Sequence, residues 1–329
     1  MRFLYFTDTH IRGTNPKSRL DNFFESMMEK LREIGDLVEE HEVDYILHGG
    51  DLFDRPDISI SVVSAVAQIL QSYDRPIYTI SGNHDIFGHN PVTLHRTVLG
   101  LLNALGVVQL VQDEPLLLEK EGTRVQLSGA PYIYGIDRPE HRELYRIEKR
   151  FPCDYAIHLV HGFLSDAAIN PQIPHTVTSD ILDTQADLTL SGHVHGGFKL
   201  QEIEGKKFLN PGALARISNA TFELRRIPQV VLIDIVAGRK PKDLIRQIPL
   251  KRVGPGNEVL DRREIENHKF KRREIAAFKE TIEHASQFDS VHLPELISDM
   301  AHATGVREEV RREAMDRVAR TEAKGGLKE

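Results

Sequence analysis

A chain of 329 residues with 40% hydrophobic and 28% charged residues is long enough for one large domain or two, and its composition is that of an ordinary globular protein. Its longest apolar runs fall far short of the roughly 20 residues a membrane helix needs, and the start MRFLYFTDTH meets an acid at Asp8 without a basic flank, so neither a membrane span nor a signal peptide is expected. The net charge of −7 lies entirely ahead of residue 251, because the tail from Lys251 balances 16 basic with 16 acidic residues; an acidic body argues against bulk nucleic-acid binding and is eased by bound cations.

Strand-like runs recur along the first half, each closed by a glycine or a polar turn: Arg2–Thr7, Val43–Leu47 and Ile77–Ile80. Helical patterns lie between them. Leu20–Glu40 carries Phe23, Phe24, Met27, Leu31, Ile34 and Val38 on one stripe, and Ser59–Tyr73 repeats the pattern with Val62, Val66 and Ile69. Thr93–Leu105 is a third, with Leu94, Val98, Leu101, Leu102 and Leu105 on one face and Leu99 off it. Strand alternating with helix predicts parallel strands joined by crossovers. After Glu114 the runs shorten: Arg124–Leu127, Tyr155–Val160, Leu188–Leu190, Phe198–Ile203, Lys207–Leu209 and Val230–Val236. A second sheet with antiparallel hairpins is expected there, with Glu204-Gly205 as a turn. The breaker cluster VGPGN places a boundary near residue 251. It divides a domain of residues 1–250 from an extension of 251–329 whose runs Leu260–Ala285, Leu293–Ala303 and Val306–Thr321 are helical by pattern.

Polar residues gather at the carboxyl ends of these strands, where open α/β sheets place their ligand sites. Asp8 and His10 stand in TDTH, Asp51 in GGD, Asn83, His84 and Asp85 in SGNHD, His161 in VHG, and His193 and His195 in GHVH. In Asp8-x-His10 and His193-x-His195 the strand period of two puts both side chains on one side. Carboxylates, imidazoles and an amide without a thiol suit Mn²⁺, Fe, Mg²⁺ or Zn²⁺, and there are more of them than one ion needs. Any one of these fragments alone is more often a turn or a satisfied polar residue than a ligand; as an ordered, strand-end set they point to two ions sharing a carboxylate.

Asp8-x-His10, Gly50-Asp51, Gly82-Asn83-His84-Asp85, His161 and Gly192-His193-x-His195 resemble the signature of the calcineurin-like metallophosphoesterase superfamily. That resemblance implies a four-layer α/β/β/α sandwich of two mixed sheets with a di-metal centre between them. It assigns Asp8, His10, Asp51 and His195 to one ion and Asp51, Asn83, His161 and His193 to the other, with Asp51 bridging. Paired ions orient and acidify a bridging water and neutralise the phosphoryl oxygens, which makes a metal-bridging hydroxide the expected nucleophile. His84 is then spare for the leaving oxygen, with Asp85 expected to hold its ring.

Within the superfamily the stretches FTDTHIR, DYILHGGDLFDRP, IYTISGNHD and SGHVHGGF followed by FLNPGAL resemble SbcD-type DNA nuclease subunits, the meiotic recombination nuclease of eukaryotes. The resemblance implies a 3′-to-5′ exonuclease and single-strand endonuclease of DNA repair and recombination, usually with Mn²⁺. It also implies a homodimer bound to an SbcC-type coiled-coil ATPase. Asp54 stands where some of these subunits carry histidine, and the residues after 251 read as helices where a mixed capping domain is usual. A small-molecule phosphodiesterase or phosphoprotein phosphatase with the same metals is the alternative. Arg55 in GDLFDRP resembles the phosphate-holding arginine of protein phosphatases and is a candidate substrate contact, against the simpler role of a loop arginine. Asn210-Pro211-Gly212 is expected to turn the chain. In the tail, Val306, Val310, Ala314 and Val318 form a narrow stripe, and Ile275, Phe278 and Ile282 a second; such stripes serve either the chain's own core or a partner's helices. The lone Cys153 allows no intrachain disulfide and suits a reducing, cytoplasmic setting.

Overall fold

The computed structural model describes residues 1–112, 114–236, 242–263, 270–271, 275, 298, 301 and 306–325. The chain divides into two units, Met1–Asp261 and Arg262–Glu329. In the first, strand β1 (Arg2–Phe6) leads through helix α1 (Phe23–Glu40) to β2 (Tyr45–His48), and α2 (Ile60–Ser72) leads on to β3 (Ile77–Thr79). Helix α3 (Val98–Ala104) then returns to β4 (Gln109–Leu110). The four strands run parallel, as the alternation predicts, and β13 (Gln229–Val236) and β14 (Lys242–Pro249) extend the sheet antiparallel beside β1.

A second six-stranded sheet has the order β11 (Phe198–Ile203), β12 (Lys206–Asn210), β10 (Leu188–Ser191), β7 (Tyr155–Val160), β6 (Thr123–Ala130), β5 (Leu116–Lys120). Only its edges are hairpins. Strands β6, β7, β10 and β12 are mutually parallel, so the expectation of an antiparallel texture fails at the sheet's centre. Their crossovers carry 3₁₀ turns at Pro139–Tyr145 and Thr178–Ile181 and the small pair β8 (Leu164–Ser165) and β9 (Thr176–Val177) instead of amphipathic helices. Without a 3.6-residue period between strands, these crossovers leave no helical signal in the residues. The Glu204-Gly205 turn is present, with both residues at positive φ (51° and 77°), as a tight hairpin requires.

Side-chain alternation builds the layers. Phe3 and Tyr5 of β1 meet Leu127, Ile157 and Leu190 between the sheets, while Leu4 and Phe6 meet Met27, Leu31 and Val66 under the helices. Buried on both faces, β1 reads as an unbroken apolar run. Helices α1 and α2 cover the outer face of the first sheet. The outer face of the second packs Tyr145, Leu164 and Ile181 against Val160 and Phe208, completing a four-layer α/β/β/α sandwich. The third predicted helix breaks: Pro91–Arg96 is a 3₁₀ turn, and Thr97 caps a fresh start by accepting from the Gly100 N–H at 3.1 Å. That phase jump puts Leu99 in the core and leaves Leu101 and Leu105 exposed at 49% and 66%, the reverse of the single-stripe expectation. The first unit also holds two short helices, α4 (Thr221–Arg225) before β13 and α5 (Gly256–Val259) after β14.

In the second unit, α6 (Glu308–Gly325) carries the ion pairs Arg311–Glu308 (2.5 Å) and Arg317–Glu313 (2.8 Å), with Val306 and Val310 exposed. The expected helices over 260–285 and 293–303 fall almost wholly outside the described residues, as do Phe278 and Ile282. Among the described residues no helix is long and apolar enough to cross a membrane.

Candidate metal centre

The site forms where the carboxyl ends of the two sheets meet. Strand β1 delivers Asp8 and His10, β2 delivers Asp51, and β3 delivers Asn83, His84 and Asp85. From the second sheet, β7 delivers His161 and β10 delivers His193 and His195. Asp8, His10, Asp51 and His193 all have positive φ (52°, 44°, 54° and 73°). A left-handed backbone at a non-glycine residue costs roughly 1 kcal/mol or more and persists only where neighbours enforce it. Here the Asp8 N–H donates to the Gly50 carbonyl at 3.1 Å and the His10 N–H to the Asp51 carbonyl at 3.0 Å, zipping the two turns together.

Three overlapping groups have ligand atoms within 4.8 Å of one another: Asp8, His10 and His195; His10, Asp51 and His84; Asp51, His161 and His193. His10 Nε2 lies 3.0 Å from His195 Nε2 and 3.6 Å from Asp51 Oδ2, and His161 Nε2 reaches the same Oδ2 at 3.3 Å. Asn83 Oδ1 joins the last group, 2.9 Å from His193 Nδ1 and 3.3 Å from His161 Nε2. Every ligand position expected from the sequence is therefore brought to one place. The other atoms of these side chains are tied back. His161 Nδ1 donates to the Gly49 carbonyl at 2.7 Å, leaving Nε2 as the inward lone pair. Asp8 accepts from Thr7 Oγ1 at 2.7 Å and from the His193 N–H at 3.1 Å; Asp51 Oδ1 accepts from the His84 N–H at 2.8 Å.

Electrostatics describe a site short of positive charge. Burial raises Asp8 above the usual carboxylate range despite nearby histidines, and burial pushes His10 well down. Burial also pushes His193 down, to about 3. Burial opposes ionisation of His161 too, but the adjoining Asp51 carboxylate reverses it and holds the imidazole up, while His161 in return holds Asp51 down. Buried imidazole nitrogens that face each other, inward carboxylate oxygens and an amide oxygen make a hard-to-borderline donor set that fits a pair of divalent cations.

Two expectations change. Asp85 does not hold the His84 ring: its carboxylate accepts from the N–H groups of Asp51 (2.8 Å), Gly82 (2.9 Å) and Phe53 (3.2 Å). It is a brace between the GGD and GNHD turns, and burial, with the charge of Asp51, raises it to about 7. The His84 ring is held instead by the Asp54 carbonyl, 2.9 Å from Nδ1, and lies beside His10, 4.7 Å between ring centroids. No backbone acceptor of this kind is visible in a sequence. Arg55 lies in an exposed turn with 66% of its side chain accessible and its Nε 4.0 Å from Asp57. Asp54 pairs with Arg12 at 2.9 Å instead. Tyr132 was not anticipated; its ring sits 5.8 Å from that of His193 and its hydroxyl 3.2 Å from His89 Nδ1, on an irregular loop without a periodic signal.

A sandwich with paired, sulfur-free ligand groups at the seam of its sheets defines a metal-dependent phosphoesterase. The chain belongs to the calcineurin-like phosphoesterase family, whose profile matches residues 1–197. It is 23% identical over 205 residues to the DNA double-strand break repair protein Mre11 of Methanococcus maripaludis, covering 59% of this chain and 52% of that one. It is 27% identical over 258 residues to the double-strand break repair protein MRE11 of Encephalitozoon cuniculi, covering 66% and 42%. The chain thus spans about half the length of the curated relatives it matches. Among solved structures, a dimetal phosphatase of Danio rerio superimposes with a TM-score of 0.50 at 11% identity, covering 77% of this chain and 96% of that one, a likeness of fold.

Proposed function

We propose that the protein is a phosphodiesterase that cuts DNA in break repair or recombination. The observation that carries the hydrolytic part is Asp51, common to two of the ligand groups, with the His84 ring next to it. The DNA part rests on similarity to the two break-repair proteins. Asp8, His10, Asp51 and His195 would hold one divalent cation and Asp51, Asn83, His161 and His193 the other, Mn²⁺ being well suited to oxygen and imidazole donors. Bound there, the ions would activate the attacking water and neutralise the phosphoryl oxygens. His84 commits its Nδ1–H to the Asp54 carbonyl, which leaves Nε2 for the leaving oxygen, and in the protonated imidazole that nitrogen would donate the proton. Asp85 acts through the backbone of Asp51 and not on the proton.

Self-association would use the apolar side chains left exposed around α2 and α3: Ile60, Val92, Leu101 and Leu105. The extension expected over residues 251–329 would dock on the coiled coil of an SbcC-type ATPase, with the exposed Val306 and Val310 as its contact side chains. The test incubates the full chain and Mn²⁺ with end-labelled single- and double-stranded DNA and, separately, with bis-p-nitrophenyl phosphate. Cleavage of DNA is expected; turnover of the small ester alone overturns the nuclease assignment and leaves a small-molecule phosphodiesterase. Val310→Asp should abolish co-elution with the ATPase without slowing the small ester.

A further inference from the structure

Lys30 is completely buried in the middle of α1, and among the described residues it makes no ion pair with a carboxylate. Burial, and then the charges of Arg19, Arg216 and Arg226, push its amine well below the usual lysine range. A buried amine of this kind is expensive unless its hydrogen bonds serve something. Its Nζ donates to one strong acceptor, the Leu214 carbonyl, at 2.9 Å.

Leu214 belongs to a strip, Ala213–Arg216, whose carbonyls are held by cations one after another. Arg226 donates to the carbonyls of Ala213 and, at 2.8 Å, Ala215, while Glu223 balances its charge at 2.7 Å. Arg19 takes the Arg216 carbonyl at 3.0 Å, balanced by Asp21. The N–H groups of the same residues point the other way, into the metal centre's backbone: Ala213 to the His195 carbonyl (3.0 Å), Leu214 to that of Thr7 (2.9 Å), Ala215 to that of Asp8 (3.1 Å). The strip enters this position through Gly212 at φ 81°, where an added Cβ would stand 2.8 Å from the His195 carbonyl oxygen. One face therefore grips cations and the other grips the backbone of two candidate ligands. One of these, Asp8, is in a conformation that it would not hold unaided.

We infer that Lys30, with Arg226, is a positioning residue for the metal centre: the two basic side chains hold the 213–215 strip against Asp8 and His195 and so set the affinity of the first metal ion. The amine bond also polarises the Leu214–Ala215 peptide, strengthening the Ala215 N–H donation to the Asp8 carbonyl, since bonds in series reinforce one another. Neither residue touches a metal or substrate. The inference depends on the cation site, not on the substrate, so it survives if DNA proves not to be cut.

The test is a calorimetric Mn²⁺ titration of full-length Lys30→Met, Lys30→Arg and the parent chain, at a temperature where circular dichroism shows each to be folded. Met replaces the amine with an apolar side chain of similar length, a change that removes the desolvation cost of the charge. Affinity for one of the two Mn²⁺ ions is expected to fall ~10- to 100-fold, the usual scale for residues behind a ligand. Small-ester hydrolysis should recover at high Mn²⁺ with kcat little changed, and Lys30→Arg should restore part of the affinity. A folded Lys30→Met that binds both ions as tightly as the parent, whatever its melting temperature, overturns the inference. If Lys30→Met does not fold, Arg226→Lys decides by the same titration, because it keeps the charge and gives up one of the two carbonyls.

Discussion

The two sheets give the site different things. The first supplies both carboxylates, the amide and His10; the second supplies only imidazoles, His161, His193 and His195. Two buried carboxylates at the end of one sheet repel each other and lose hydration, and the imidazoles that relieve them come from the other sheet. Two of the three ligand groups draw on both sheets. The lesson is that the centre belongs to the seam: a sheet can be well folded and still contribute only half of it.

The largest expected effect removes the residue that both ions share. Asp51→Asn should reduce hydrolysis to background and cut metal content, measured by plasma mass spectrometry after Mn²⁺ loading and desalting, for both ions. His195→Asn, on the second sheet, should lose only one. Equal metal loss in the two variants breaks the assignment. His84→Gln should lower kcat by ~10²- to 10⁴-fold with both ions retained; loss of an ion would make His84 a ligand, in keeping with its place beside His10 and Asp51.

A third effect isolates the second sheet. His158 in β7 is buried, its Nε2 donating to the Leu144 carbonyl (2.9 Å) and its Nδ1 accepting from Ser128 Oγ (3.1 Å), and burial lowers it to about 4. Both folded and unfolded forms are neutral above the unfolded value of about 6.5, so stability is full there. As pH falls from 6.5 towards 4 the unfolded chain takes up the proton first, and stability declines by about 3 kcal/mol in total. Thermal melts of His158→Gln against the parent should differ less at pH 4.5 than at pH 7.5; a constant difference would mean that His158 does not titrate this way. The smallest effect is at Arg55. Arg55→Ala should change stability by less than about 0.5 kcal/mol and leave KM for the small ester unchanged; a several-fold rise in KM would restore it as a phosphate contact.

Much of this was legible in the residues. The apolar runs and the glycines before Asp51, Asn83 and His193 encode strand ends, and strand ends carry the ligands; the strand period of two does not place Asp8 and His10, which follow β1 on left-handed backbone. The parallel first sheet followed from its amphipathic helices, and the donor chemistry followed from carboxylates, imidazoles and an amide without sulfur. What the sequence determined was thus local and chemical: which segments are strands, in what order, and which atoms could face a cation. Tertiary structure decided the rest. Whether Asp85 meets the His84 ring or the Asp51 backbone depends on how two turns nest. The parallel centre of the second sheet, the restart of α3 at Thr97, the outward place of Arg55 and the cations behind residues 213–216 are likewise matters of packing. Periodicity reports the faces of a single element, whereas a bond between residues as far apart in the chain as Lys30 and Leu214 exists only once two sheets and a helix have closed around it.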